Sequence, residues 1–336
     1  MSKIKAGITI GDPNGIGLEI ILSVFEDLSI YDSIIPILFA PKDIVEFQKN
    51  HFKKNTPLNY VINENDNIVD SMLNIVQINS NGFKVNFGKV SKKSGELSIA
   101  SIDQSINYVK AGKIDVLVTA PINKNSVQSE KFKFPGHTDY LNVNFYGSAL
   151  MFMISNQLRI ALVTDHIPIK KVSEAISMKL INHKIEQVSL SLKKDFKISN
   201  PKIAVLGLNP HCGDHGAIGE EDDLIIKPAI NKSNFDKTIV CGPFSADSFF
   251  GSNNFEEYDA ILAIYHDQGL IPFKTLSFGS GVNFTAGLDL IRTSPDHGTA
   301  FDIAGLGEAS VSSFKRALEE AVNIYKARST YSSDKF

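Results

Sequence analysis

Short apolar runs bounded by charge or glycine recur along the chain and predict buried strands, among them Ile4–Ile10, Ile34–Ala40, Asp115–Thr119 and Ala260–Tyr265. Elsewhere the apolar period lengthens. Ile99, Ile102, Ile106 and Val109 repeat at i, i+3, i+7 and i+10, which predicts one buried face of a helix beginning after Gly95 and ending at Gly112. Ile181, Ile185, Val188 and Leu192 give a second such face, and His183 falls off it. Phe314, Leu318, Ala321 and Tyr325 predict a closing helix whose Lys326 and Arg328 suit its C-terminal end. The last residues, STYSSDKF, are expected to fray.

Polar residues gather where these strands end, and in open α/β sheets that is where ligands bind. The first strand runs into a glycine-punctuated turn, GDPNGIG, then a helix with Glu19 in its first turn. Strand, turn and helix N-terminus make a plausible phosphate cradle, although the turn is neither GxGxxG nor a GK[ST] loop. Lys124 follows the strand ending at Thr119, where a solvated surface charge is the commoner reading. In PGHTDY, His137 and Thr138 can donate to a phosphate or carboxylate, or Thr138 and Asp139 cap the next helix. Asp247 in GPFSADSFF reads as a base or water ligand, or as a cap. The densest stretch is Asp259–Gly307, where His266 and Asp267 end a strand and Lys274, Asn283 and Arg292 offer anion-holding groups between glycines.

A pattern of strand followed by histidine occurs three times: RIALVTDH ends at His166, KIAVLGLNPH at His211 and DAILAIYH at His266. Parallel strands bring their carboxyl ends to one edge, so these imidazoles can meet there as a catalytic metal site with an open position for substrate oxygen. Eight histidines are present, and a lone loop histidine is more often structural. His215 competes with His211 for the ligand role, and Cys212 reads as a reduced bystander.

Bulk properties narrow the function classes. A length of 336 residues suggests two domains or one with an insertion. A net charge of −3 gives no field for nucleic acid, and there is no basic amphipathic stretch for a membrane surface. Two cysteines cannot build a disulfide framework, and no secretory leader or long apolar span is evident, so a cytoplasmic setting is expected.

The set GDPNGIG, TAPINK, GHTDY, DHIP, GLNPHCGDHG with GEED, AIYHDQGL, GVNFTAGL and IRTSPDHGTAFDIAG resembles the 4-hydroxythreonine-4-phosphate dehydrogenases of pyridoxal 5'-phosphate biosynthesis, in order over nearly the whole chain. That resemblance implies an α/β, two-domain fold like that of isocitrate and isopropylmalate dehydrogenases, with the active site in the interdomain cleft. It implies residues 1–125 and 275–336 in the domain carrying the dinucleotide-binding loop, and residues 126–274 in the domain carrying metal ligands and dimer interface. It makes His166, His211 and His266 ligands to one divalent ion (Zn, Mg or Co), and His137, Thr138, Lys274, Asn283 and Arg292 substrate contacts. Asp247, Asp267 and Lys124 become candidate catalytic groups, and Gly298 and Asp302 contacts to NAD or NADP. The implied partners are a small phosphorylated amino acid and a second copy of the chain in a homodimer. In that dimer the active site is shared, His166 and His211 coming from one subunit and His266 from the other. A paralogous dehydrogenase of threonate or erythronate 4-phosphate is the nearest alternative. A metal-dependent phosphohydrolase or a phosphate-ligand binding protein is a more distant one. Leu18, Asp139, Asp165 and Cys212 depart from the family pattern, and Asp165 adds a negative charge beside the expected metal.

Overall fold

The computed structural model of the chain describes residues 3–63, 66–130, 132–277 and 279–333. Among these residues the strands are β1 Ile4–Thr9, β2 Ile34–Ala40, β3 Leu58–Val61, β4 Leu73–Gln77, β5 Val116–Thr119, β6 Gly147–Ile154, β7 Arg159–Leu162, β8 Lys202–Leu206, β9 Ile239–Phe244, β10 Ala260–Ala263, β11 Val282–Leu288 and β12 Arg292–Pro295. The chain forms two compact units, Met1–Tyr146 with Leu288–Tyr325, and Gly147–Gly287 with Lys326–Phe336. Residues 126–146 therefore stay with the N-terminal unit, and residues 275–287 with the unit that carries His166, His211 and His266.

In the first unit the strand order is β3-β4-β2-β1-β5-β12. The pairs from β3 to β12 run parallel, so both faces need helices and the central strands read as unbroken apolar runs. Every residue of β2 is buried. Ile37, Phe39, Val61, Val76 and Ile114 form one core cluster here, and truncating fully buried Phe39 to alanine should cost about 3–5 kcal/mol.

The helix predicted to start after Gly95 spans Lys92–Lys110, with Gly95 inside it. A Cβ on Gly95 would lie 1.9 Å from the Ser126 carbonyl oxygen, so glycine permits the close approach. The buried stripe is also more polar than its isoleucines suggest, because Ser98 donates to the Gly11 carbonyl (2.8 Å) and Ser101 to the Phe39 carbonyl (2.7 Å). The first bond ties the helix to the end of β1, where the GDPNGIG turn begins, and the second ties it to β2. Gly11 holds φ +71°, and a Cβ there would meet the Pro121 carbonyl oxygen at 2.5 Å. Helix Gly17–Val24 follows and is almost wholly buried.

In the second unit the order is β11-β6-β7-β10-β8-β9. β6 and β7 are antiparallel, whereas β7, β10, β8 and β9 run parallel. Ile160, Ile261, Ala204 and Phe273 belong to one core cluster against which Phe244 and Tyr258 pack. Helix Met178–Phe196 buries Ile181, Ile185, Val188 and Leu192 and leaves His183 exposed, as its period predicts. The closing helix runs from Ser312 to Ser333, so the expected fraying does not extend over residues 329–333; residues 334–336 lie outside the described set. Arg328 on this helix donates to Asp195 on helix Met178–Phe196 at 2.6 Å, a buried ion pair.

Candidate active site

The three strand–histidine repeats occupy neighbouring parallel strands, in the order β7-β10-β8, so their carboxyl ends share one edge. His166 lies just beyond β7, and His266 opens the helix His266–Leu276 just beyond β10. Their rings are 5.8 Å apart, centroid to centroid. Each has a carboxylate beside Nδ1: Asp267 is hydrogen-bonded to His266 at 2.7 Å, and Asp165 lies 3.9 Å from His166. Asp267 thus holds the His266 ring by one nitrogen and presents the other, as histidines are oriented toward metals, whereas Asp165 lies beyond hydrogen-bond reach of the His166 ring and accepts from the His166 backbone amide. Two such rings fit a divalent ion. A cavity of about 240 Å³ opens beside them, lined by Thr164, Asp165, His166, Tyr265, His266 and Asp267 among others.

His211 sits on a different kind of segment. Residues 211–215 all have left-handed backbone, with φ of 53°, 52°, 80°, 43° and 54°, and four of the five are not glycine. Such conformations cost roughly 1–2 kcal/mol per L-residue and need outside support. Asp222 provides it. Its buried carboxylate accepts from the Leu208 amide (2.8 Å), the Asn209 amide (3.0 Å) and the Asn209 side chain (3.0 Å). Gly213 has no room for a Cβ, which would lie 2.3 Å from the Gly219 carbonyl oxygen. His215 shares the turn and is exposed. The Cys212 thiol is pushed up by burial and then by Asp222, which keeps it protonated. Asp247 is exposed, and its carboxyl is held below its usual value by the Ser245 hydroxyl (2.6 Å), the Ser248 amide and, more weakly, nearby His211. Among the described residues, no three or more His, Cys, Asp or Glu side chains are grouped to hold a metal ion. The chain thus brings His166 and His266 together and leaves His211 out of that pair.

The expected anion contacts fall in both units. In the first, Arg292 at the start of β12 is buried, and desolvation lowers its guanidinium to about 9. It donates to the Thr119 hydroxyl on β5 through Nε (3.0 Å) and Nη2 (2.6 Å). His137 begins the helix His137–Asn144, with Thr138 in its first turn; the N-cap is Gly136, without a side-chain cap. Burial and then the Arg292 charge push His137 well below its ordinary value, so its ring is neutral at pH 7. The ring's Nε2 is buried without a protein partner. Lys124 is exposed at the start of a short helix, Lys124–Val127. In the second unit, Lys274 is exposed on the helix His266–Leu276. Asn283, on β11, has a buried Oδ1 without a protein partner.

The loop containing Gly298 and Asp302 packs on the glycine turn of the same unit. The Ile16 amide donates to the Thr299 carbonyl (3.2 Å), and a Cβ on Gly15 would lie 2.8 Å from that oxygen. Gly298 and Asp302 are exposed, and Ala300 between them holds φ +41°. The GDPNGIG turn is therefore a buttress for this loop. Sequence reading assigned no role to Thr119, Asp222 or His297. The clue for Thr119 was its position at a strand end, and for Asp222 its place in GEED. His297 adjoins Gly298 and has a buried Nε2 without a protein partner.

Comparison with known proteins matches this arrangement to one family. The family model described as pyridoxal phosphate biosynthetic protein PdxA matches residues 32–321. A 4-hydroxythreonine-4-phosphate dehydrogenase of Bacteroides thetaiotaomicron is 42% identical, over 97% of this chain and 90% of its own. A putative D-threonate 4-phosphate dehydrogenase of Cutibacterium acnes is 36% identical, over 94% of this chain and 92% of its own. The crystal structure of 4-hydroxythreonine-4-phosphate dehydrogenase from Klebsiella pneumoniae superposes with a TM-score of 0.83 at 30% identity, covering 97% of this chain and 98% of that one. With the family model covering most of its length and close relatives matching nearly end to end, the chain belongs to the PdxA family of pyridoxal phosphate biosynthetic proteins.

Proposed function

We propose that the protein is an NAD(P)-dependent dehydrogenase that oxidises 4-phosphooxy-L-threonine to 2-amino-3-oxo-4-phosphooxybutanoate, whose decarboxylation yields 3-amino-2-oxopropyl phosphate. Membership of the PdxA family carries this reading. The pairing of His166 with His266, each beside an aspartate, supports it as a place for a divalent ion. When bound, the ion supplies Lewis-acid stabilisation of negative charge on substrate oxygen, and the dinucleotide accepts the hydride.

The chain's residues bind and orient the substrate. Arg292, His137 and Thr138 hold the phosphate: the guanidinium supplies charge, and the neutral imidazole supplies an N–H without a second cation. Lys274 and Asn283 complete the substrate contacts. His166, His211 and His266 are the metal ligands, with Asp267 orienting His266 and Asp247 lying close to His211. Lys124, Asp247 and Asp267 are the candidate proton-transfer groups. Gly298 and Asp302 contact the dinucleotide. The protein works as a cytoplasmic homodimer, its histidine-bearing unit forming the interface and the site being completed by the second copy. The reading is tested by supplying 4-phosphooxy-L-threonine with NAD or NADP and following reduced nicotinamide absorbance. Turnover with threonate or erythronate 4-phosphate, and none with the amino acid, would transfer the assignment to the paralogous dehydrogenase, threonate 4-phosphate being the substrate in the name of the Cutibacterium relative.

A further inference from the structure

The loop after Gly298 does not end freely. His51, on the helix Lys42–His51, places Nε2 2.9 Å from the Gly305 carbonyl oxygen. A carbonyl only accepts, so this nitrogen carries the proton. The ring is seated among aromatics: Phe87 at 5.0 Å, Phe52 edge-on at 4.8 Å and Phe47 stacked at 6.0 Å. Gly305 must be small and left-handed here, with φ +86° and a Cβ position 2.7 Å from the Phe87 ring. Four residues on, the Ala309 amide donates to Oε1 of Glu19 at 2.9 Å. Glu19 is 2% exposed on a helix packed beneath the glycine turn. Desolvation raises its carboxyl above the ordinary value, and the amides of Ala309 and Gly307 offset this only in part.

We propose that His51 and Glu19 are positioning residues for the dinucleotide, clamping the far end of the Gly298–Gly307 loop while Ile16 holds its near end at Thr299. The segment between the clamps, in which Asp302 is exposed, is thereby presented in one form, so less ordering is left for the cofactor to impose. This inference rests on reading Gly298 and Asp302 as dinucleotide contacts.

Four variants separate the possibilities, each measured for dissociation of NADH or NADPH by fluorescence titration without substrate, for kcat and KM, and for thermal midpoint. His51→Phe keeps the aromatic stack and loses the bond to Gly305. It should raise the dinucleotide dissociation constant roughly two- to tenfold, the range of one hydrogen bond, with substrate KM and the thermal midpoint nearly unchanged. His51→Gln keeps an N–H near the Nε2 position and should bind close to the wild-type value. Glu19→Met, which fills the space but removes the acceptor of the Ala309 amide, should weaken binding in the same way as His51→Phe. Asp302→Ala tests the underlying reading. If it weakens binding while His51→Phe and Glu19→Met do not, the clamp is wrong and the loop assignment stands. If Asp302→Ala leaves binding unchanged, the loop assignment falls and the clamp falls with it. A lowered midpoint with unchanged dissociation constant would assign His51 to packing alone and overturn the inference.

Discussion

Arg292 reaches across from β12 to bond Thr119 on β5 through two of its nitrogens, at 3.0 and 2.6 Å. The bond locks a buried guanidinium whose charge is costly enough that its pKa falls to about 9. At pH 7 the group stays protonated, and an anion beside it would offset the cost of its desolvation.

Arg292→Lys should therefore raise the KM for the phosphorylated substrate by roughly ten- to hundredfold, the worth of one or two charge-assisted hydrogen bonds. The cofactor KM should change little. Thr119→Val keeps the shape and removes the anchor, and a smaller rise is expected. Steady-state kinetics with each substrate varied in turn measures both. An unchanged substrate KM in Arg292→Lys would remove this residue from the phosphate site.

His137 makes a pH prediction. Burial and then the Arg292 charge hold its folded pKa well below 6.5, whereas the unfolded chain titrates near the ordinary value. As pH falls below 6.5 the unfolded state binds a proton that the folded state does not, so stability falls with falling pH. The slope from this one group approaches about 1.4 kcal/mol per pH unit. Denaturant midpoints between pH 7.5 and 5, on the order of the ordinary histidine range, should fall more steeply for the wild type than for His137→Gln. Parallel curves would show that the imidazole contributes nothing to acid lability.

In the proposed metal site, Asp267 acts on the ion through His266. Removing a carboxylate that orients a ligating imidazole weakens metal affinity by about ten- to hundredfold. Asp267→Ala should show this when bound metal per chain is measured after equilibrium dialysis at several free-ion concentrations. Exhaustive chelation should abolish turnover, and restoring the ion should return it. Wild-type affinity in Asp267→Ala would confine the 2.7 Å contact to a structural role.

The parts of this molecule that were legible in the sequence are those with a short period. The β2 run Ile34–Ala40 and the face of helix Met178–Phe196 fall where the apolar pattern puts them, because burial on both faces or on one stripe leaves a direct mark. The serine stripe of helix Lys92–Lys110 did not, since buried hydroxyls that bond carbonyls of Gly11 and Phe39 look polar in a pattern of hydrophobicity. Three strand–histidine repeats pointed to one sheet edge, and the parallel neighbours β7, β10 and β8 supply that edge. The left-handed run at His211 could not be read, because only one of its five residues is glycine and its support comes from Asp222, eleven residues away from His211. Thr119 was missed for the same reason: its partner Arg292 is distant in sequence, and nothing local marks the pair.

The proposed sharing of a metal site between two subunits yields the most discriminating prediction. His166 and His266 are ring neighbours in one chain, and no three-donor group is assembled among its described residues. A site that takes two histidines from one subunit and one from the other has a combinatorial signature. Let His166→Ala, His211→Ala and His266→Ala proteins be mixed pairwise under conditions where subunit exchange is demonstrated. When two mutated histidines belong to different subunits of a site, the mixed dimer of two defective chains contains one site with both defects and one with none. Activity should then return, up to a quarter of the wild-type value on random pairing, since about half the dimers are mixed and each holds one intact site of two. When both mutated histidines come from the same subunit of a site, every site in the mixed dimer lacks one ligand. Two of the three mixtures should therefore regain activity and the third should stay inactive, and that third mixture names the pair contributed by one chain. Three inactive mixtures would place all the ligands on a single subunit and remove the shared site.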